Sequence, residues 1–355
     1  MRHYYKLNNL TNKLIAWYKK NKRDLPWRGL TDSYHIWVSE IILQQTQIHT
    51  GIKYYERFIN IFPTIKDLAL ATEEDVLNVW QGLGYYRRAL NMLSAAKTVM
   101  IQYDGLFPKE YSKLLQLPGI GIYTASAVSS ICNDEKKAVV DGNVYRFLSR
   151  IYNISTPINS TQGIKEFQHI ANKLIPEKNP GDYNQAIMDF GSTHCKKHNP
   201  KCNTCPFQLD CLAYQLGEIH LRPVKHKTKK SSVKYFNYLF IHSKALFLLQ
   251  QRTNNDIWKK LYELPLIETT QRIDVNTLRK KKYLKQFDVI KIQKDYSVEH
   301  NLSHQKLKIT FWDININNIQ AQKHIQRITL EDVFKYPFAK PLQNYLKIQY
   351  AKYKN

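Results

Sequence analysis

The sequence predicts two domains, an all-α domain followed by a smaller α+β one, and three observations predict it. From residue 8 to about 216 apolar residues recur at helical spacing, interrupted by turns at Pro26, Pro63, Gly82, Gly105 to Pro108, Gly119, Pro157 and Pro176. All twelve glycines stand at or before Gly217. Beyond it, β-branched and aromatic runs at Tyr235 to Ile241, Ala245 to Gln251 and Leu307 to Ile316 read as strands, with helical runs near Val275 to Lys282 and Pro341 to Ala351. Between the halves, His220 to Lys234 carries six lysines and arginines and no acid, which reads as an exposed linker. The expected layout is therefore residues 1–217, a basic linker at 218–234, and residues 235–355. At 355 residues the chain is long enough for two cores.

Charge narrows the partners. Lysine and arginine number 53 against 29 acids, a net charge of +24, so a polyanion such as nucleic acid is the expected partner. No apolar run reaches the length of a membrane span, and the N-terminus, Met1-Arg2-His3-Tyr4-Tyr5-Lys6, lacks a signal-peptide core. The expectation is a cytoplasmic monomer without membrane contact, in which structural disulfides are disfavoured.

Taken in order, the first chemical signal is Arg23-Asp24-Leu25-Pro26-Trp27-Arg28, which places an aromatic and two guanidiniums in a loop, as a pocket for a planar base requires. Next, Trp37 to Gln47 puts Glu40, Gln44 and Gln47 on one stripe of a helix, with Trp37, Ile41, Ile42 and Ile48 largely on other faces. A carboxylate among apolar residues and amides suits a desolvated general acid. Trp80 to Arg88 then sets Tyr85, Tyr86, Arg87 and Arg88 after a glycine turn; an exposed aromatic beside arginines can wedge into a base stack.

Residues 114–146 carry the densest signal. Pro118 ends one helix, Gly119 and Gly121 supply a tight turn open to positive φ, and a helix of small residues runs from Tyr123 to Ile131. The free N–H groups at that helix start can hold an anion. Asp141, after two valines and before Gly142, is either a cap on the next helix or an acid beside the bound anion. Finally Cys195, Cys202, Cys205 and Cys211 lie in one short segment among Lys196, Lys197, His198 and Lys201. Four thiols so close ask for zinc or an iron–sulfur cluster, and ligand chemistry alone leaves both open. Cys132, in an apolar helix run, reads as a buried small hydrophobe.

Together these residues resemble the adenine DNA glycosylases of the helix-hairpin-helix superfamily. The resemblance rests on Ser39-Glu40, Leu43 to Gln47, Gly82 to Tyr86, Leu117 to Gly121, Asp141 to Val144 and the four cysteines, densely over residues 10–215. It implies a helix-hairpin-helix glycosylase domain with a [4Fe–4S] loop at 195–211, held by Cys195, Cys202, Cys205 and Cys211. It implies double-stranded DNA with adenine opposite 8-oxoguanine or guanine as substrate. Glu40 is then the acid that protonates N7 of a flipped adenine, and Asp141 stabilises the oxocarbenium-like sugar, with Asn143 in the same catalytic set. Leu25, Trp27, Arg28 and Gln185 line the adenine pocket, with Gln44 also on the substrate. Gln45 and Tyr85 fill or wedge the stack, and Gly119 and Gly121 grip phosphate.

Tyr123 discriminates within the superfamily. The similar endonuclease III carries at that position a lysine that forms a Schiff base and cuts the strand, and it lacks the glutamate. A tyrosine cannot form an imine, so the expectation is a monofunctional enzyme. The C-terminal half resembles the MutT-like, Nudix-fold lesion-recognition domain through Gln251-Arg252, Trp258 to Pro265 and His300 to His304. After Pro265 there is no glycine-led acidic helix, so diphosphate hydrolysis is not expected. Ser303 and His304 are implied to read the oxidised guanine, although Leu302 stands where the family has an aromatic. The rival expectations are a bifunctional lyase, a non-catalytic cluster protein that binds DNA, and a nucleotide hydrolase.

Overall fold

The computed structural model describes residues 2–226, 232–302, 304–319 and 324–354, without the side chains of residues 2–8. Contacts gather the chain into two compact units, Met1–Leu70 with Asn91–Lys227, and Ala71–Leu90 with Thr228–Asn355. This grouping departs from the expected single break near residue 217, because residues 71–90 fall with the C-terminal half.

In chain order the helices are α1 (Arg2–Asn21), α2 (Ser33–Leu43), α3 (Ile48–Ile61), α4 (Ile65–Leu70), α5 (Glu73–Trp80), α6 (Arg87–Gln102), α7 (Tyr111–Leu114), α8 (Ile122–Cys132), α9 (Gly142–Ile151), α10 (Thr161–Leu174), α11 (Pro180–Thr193) and α12 (Leu212–Gln215). Local chemistry sets their ends. Asp32 caps α2 by accepting from His35 N–H, Ser160 caps α10, Pro180 opens α11, and Thr72 with Asp75 forms a capping box on α5.

The first unit is built round α8. Thr124 to Ser130 are all buried small or β-branched residues, which lets α2 and α11 pack closely on it. A second close approach joins α9 and α11: a Cβ at Gly191 would stand 2.7 Å from the Asn143 Cβ. Their shared core is aromatic and aliphatic, with Phe147, Phe167, Tyr183, Phe190 and Phe207 fully buried. The basic stretch is less of a linker than expected. Ile158 N–H donates to the Val224 carbonyl, His226 N–H donates to Asn159, and Arg222 pairs with Glu218 at 2.7 Å, so residues 218–226 are fastened to the first unit. The expected linker's residues 227–231 lie outside the described residues.

Among the described residues the second unit is a mixed sheet of seven strands: β1 (Ser232–Ser243), β2 (Leu246–Gln251), β3 (Tyr262–Glu263), β4 (Leu266–Thr269), β5 (Val289–Asn301), β6 (Gln305–Ile316) and β7 (Ile325–Thr329). The order is β3-β2-β1-β6-β5, with β4 on β1 and β7 on β2. β1 runs parallel to β6, Tyr238 facing Phe311, while the other pairings are antiparallel. One face packs Leu239, Ile241, Leu248, Trp312 and Ile314 against Leu278 of α13 (Val275–Arg279). Tyr345 of α14 (Lys340–Lys354) stacks on Phe311 at 4.1 Å. β5 is outermost, with register breaks between Val289 and Lys291 and between Lys294 and Tyr296.

Candidate active site and cysteine-lined cavity

α2 presents Glu40 from its third turn into the first unit, where the residue is only 8% exposed. Burial pushes its carboxyl up to about 7; the Tyr123 hydroxyl within hydrogen-bonding reach and the Arg28 charge oppose that rise, and the Asp141 charge adds to it. Tyr123 is held by its place in the first turn of α8, and its hydroxyl also lies 3.2 Å from the Met188 sulfur. Burial and the two carboxylates raise its own proton affinity well above the ordinary phenol range. A neutral donor thus faces Glu40.

Asp141 is the N-cap of α9, the first of the two alternatives left open by the sequence. Its Oδ1 accepts from the Asn143 and Val144 N–H groups at 2.9 Å each, and its Oδ2 from the Asn143 side chain at 2.7 Å. Burial raises its carboxyl above the usual range, and these hydrogen bonds counter that rise. Asn143 is held in turn by Arg146, which donates to its Oδ1 at 2.8 Å, to the Cys195 carbonyl at 2.8 Å and to the Gly191 carbonyl.

The adenine-pocket residues of the sequence analysis come together, with helpers the sequence did not reveal. Gln185, on α11, accepts at Oε1 from both Arg28 and the Tyr18 hydroxyl, the latter at 2.9 Å. Because both partners face that oxygen as donors, the amide NH2 is turned elsewhere. One turn on, Asp189 is buried and takes hydrogen bonds from Arg23 and from Arg28, the latter at 3.1 and 3.2 Å. Leu25 and Trp27 are buried, Trp27 edge-on to Tyr55 at 5.0 Å, so these two act as the packed wall of the loop.

Three expectations need correction. Glu40, Gln44 and Gln47 do not share one helix stripe: α2 stops at Leu43, Gln44 is its C-cap, and Gln47 is the N-cap of α3. Gln45 sits in the break at φ +57°, and Gln44 turns back to donate to Thr124 Oγ1 at 3.3 Å. Of the two hairpin glycines only Gly119 has a positive φ, +78°, and a Cβ there would stand 2.6 Å from the Asn91 Cβ. Gly121 is the extended N-cap of α8. Cys132 is half-buried at the end of α8 rather than in the core, and burial still raises its thiol to about 12.

The four cysteines of 195–211 line one cavity with Phe147, Phe190 and Phe207. Burial raises the thiols of Cys202, Cys205 and Cys211, Cys205 to about 12, so thiolates there need a cationic centre to hold them. Among the described residues no three His, Cys, Asp or Glu side chains lie close enough to share a single ion. His194 also lines this cavity, its ring stacked on Phe190 at 4.9 Å. Four thiols around one cavity suit a thiolate-held metal centre, zinc or an iron–sulfur cluster. α9 fastens the loop: Arg150, 2% exposed, donates to the Cys195 sulfur at 3.3 Å and to the Lys196 carbonyl at 2.8 Å.

Comparison with known proteins decides the family. The model for the HhH-GPD superfamily of base excision DNA repair proteins matches residues 38–176, and that for the NUDIX domain matches residues 237–347. The adenine DNA glycosylase of Buchnera aphidicola subsp. Schizaphis graminum is 33% identical over 340 residues, covering 91% of this chain and 97% of that protein. The chain belongs to the adenine DNA glycosylases. The mouse adenine DNA glycosylase is 43% identical over 211 residues, 57% of this chain and 41% of that protein. Among solved structures, a thermostable thymine-DNA glycosylase is 28% identical with a TM-score of 0.56, covering 60% of this chain and 98% of that one. An endonuclease III solved with DNA, 20% identical with a TM-score of 0.53 over the same 60% of this chain and 97% of its own, shares the fold. The glycosylase is thus a base-excision repair enzyme with a Nudix-like second domain, and no helix among its described residues is long and apolar enough to cross a membrane.

Of the wedge candidates Gln45 lies in the first unit and Tyr85 in the second, which also holds the lesion-reading candidates. Tyr85 is 49% exposed at φ +50°. Like Gln45 it is a non-glycine in the left-handed region, a conformation that concentrates at functional sites. His304 is exposed at the tip between β5 and β6, where Leu302 N–H donates to the Gln305 carbonyl. Ser303 lies outside the described residues.

Proposed function

We propose that the glycosylase removes adenine paired with 8-oxoguanine, and with guanine, leaving an abasic site in an uncut strand. The observation that carries this reading is the buried pair of carboxyls. Glu40, raised to about 7 by burial, keeps a proton near neutrality, and Asp141, bound by three donors, serves the opposite charge state. Glu40 gives its proton to N7 of a flipped adenine, which turns the base into a neutral leaving group. Positive charge then develops on the sugar, and the Asp141 carboxylate stabilises it until water adds at C1′. Asn143 fixes the Asp141 rotamer.

Arg28 and Gln185 supply donors to the base edge against the wall made by Leu25 and Trp27, and Gln44 lies near the start of α8. Gly119 and Gly121 lead the chain into the N-terminus of α8, whose free N–H groups suit a backbone phosphate. Gln45 and Tyr85 occupy the stack vacated by the base, and Ser303 with His304 reads the oxidised guanine. Tyr123 offers no amine for an imine, which argues against strand cleavage. Cys195, Cys202, Cys205 and Cys211 hold a [4Fe–4S] cluster, whose chemistry when bound is to tie the loop into a positively charged knot through iron–thiolate bonds.

A duplex with one adenine–8-oxoguanine pair tests the reading. Purified enzyme should yield free adenine and a strand break only after alkali. A break without alkali points to lyase chemistry, and intact adenine refutes the assignment.

A further inference from the structure

The loop before α6 is unusually well fixed. Gly82, Gly84 and Tyr85 have φ of +96°, +80° and +50°. The Trp80 indole N–H and the Arg88 guanidinium both donate to the Gly84 carbonyl, at 3.0 and 3.2 Å. Arg88 also lies 5.1 Å from the Trp80 ring and 5.5 Å from the Tyr85 ring. Tyr85 projects outward, whereas its neighbour Tyr86 is buried. The Tyr86 hydroxyl accepts from Gly82 N–H at 3.2 Å and donates to the Phe338 carbonyl at 3.2 Å.

That carbonyl belongs to a short strip used three times over. Asn78 donates to the Lys335 carbonyl at 3.0 Å, Tyr262 N–H to the Pro337 carbonyl at 2.9 Å, and Tyr86 to Phe338. Tyr262 opens β3, bridges to Phe338, and hydrogen-bonds Glu74 at 3.3 Å; Lys260 pairs with Glu73 at 3.1 Å. Beside it Glu263 binds buried Arg252 at 3.1 and 3.2 Å, closing the loop that sets Trp258 5.8 Å from His300 on β5. Hydrogen bonds on either side of the 335–338 backbone therefore join the Tyr85 loop to the sheet that bears the His304 hairpin.

We propose that Tyr86 is a positioning residue that fastens the wedge loop to the C-terminal sheet, so that Tyr85 and the lesion-reading hairpin move as one body. This rests on the reading of Tyr85 as wedge and His304 as reader. Engagement of the oxidised guanine and entry of the wedge are then a single event, and unstacking of the adenine depends on the base opposite.

The test is stopped-flow fluorescence of a 2-aminopurine placed next to the target adenine, opposite 8-oxoguanine or guanine, with the full-length holoenzyme. Tyr86→Phe keeps the ring and removes both bonds; Glu73→Ala with Glu74→Ala cuts the outer links and leaves Tyr86 intact. Either should slow unstacking opposite 8-oxoguanine by about tenfold, the worth of one or two hydrogen bonds, and change it opposite guanine by less than about twofold. Tyr85→Ala should slow both. If Tyr85→Ala alters nothing, the wedge reading itself fails. If it slows unstacking while the other two variants keep the wild-type ratio, or slow both duplexes equally, the fastening proposal is overturned and the wedge stands.

Discussion

The Tyr18 hydroxyl and the Gln185 carboxamide are joined by a hydrogen bond of 2.9 Å between α1 and α11. Burial pushes the Tyr18 phenol up to about 12, so it remains a donor at any working pH. With Arg28 it pins one end of the amide and aims the other. Tyr18→Phe leaves Gln185 on a single donor. Duplex KM should rise by about fivefold while kcat holds, the size of one lost hydrogen bond. A loss confined to kcat would mean that Gln185 acts in the transition state alone.

Glu40 gives a pH profile whose sign is fixed. Its carboxyl rises from 4.5 to about 7, so the protonated acid persists to neutrality. Single-turnover adenine release should fall about tenfold per unit above about pH 7, and fall again in acid as the Asp141 carboxylate takes up a proton. The same shift has a stability cost. The contribution is intact below 4.5 and is lost as pH rises through 7, by roughly 3 kcal/mol. Glu40→Gln should abolish release, melt with the wild type at pH 4.5, and melt higher at pH 8.5. Coincident melting at pH 8.5 would show Glu40 to be hydrated.

Asp141 caps α9 and is proposed to stabilise the sugar cation, and one substitution separates the two roles. As an N-cap, asparagine is about as good as aspartate, so Asp141→Asn should leave Tm within a few degrees. As a stabiliser of a developing cation it needs its charge, and adenine release should fall at least about a hundredfold. A large drop in Tm with a small drop in rate would make Asp141 a cap alone.

Arg150 holds the cysteine loop through the Cys195 sulfur and the Lys196 carbonyl, and it is buried. Arg150→Met fills the volume and strips these bonds, leaving buried carbonyls unpaired at a cost of about 1–3 kcal/mol each. Iron per chain, measured after purification, should fall to less than about half the wild-type value. Full iron content would show that the cysteines organise the loop unaided.

Much of the first unit could be read in the sequence because its chemistry is local. The glycine hairpin, Asp141 before Gly142 and the cysteine run each lie within a few residues. Asp189 and Tyr18 could not be read that way, since each matters through partners more than a hundred residues away. The one local hint was the spacing of Gln185 and Asp189, a single helical turn on α11. The polar stripe of Glu40, Gln44 and Gln47 misled because α2 ends without a glycine or proline, by a left-handed Gln45. β5 went unread because Lys294 and Asp295 interrupt the alternation of Ile290, Ile292, Tyr296 and Val298, at the place where the register also breaks.

That outermost strand carries a consequence for life in a crowded solution. A thirteen-residue strand at the edge of a sheet is a template on which a second chain could grow. Here the two register breaks bend the edge, and exposed Lys291 and Lys294 stand beside them. An incoming strand meets a kinked backbone and two like charges before it meets a ladder. The kink and the two like charges thus work against edge-to-edge pairing of two chains.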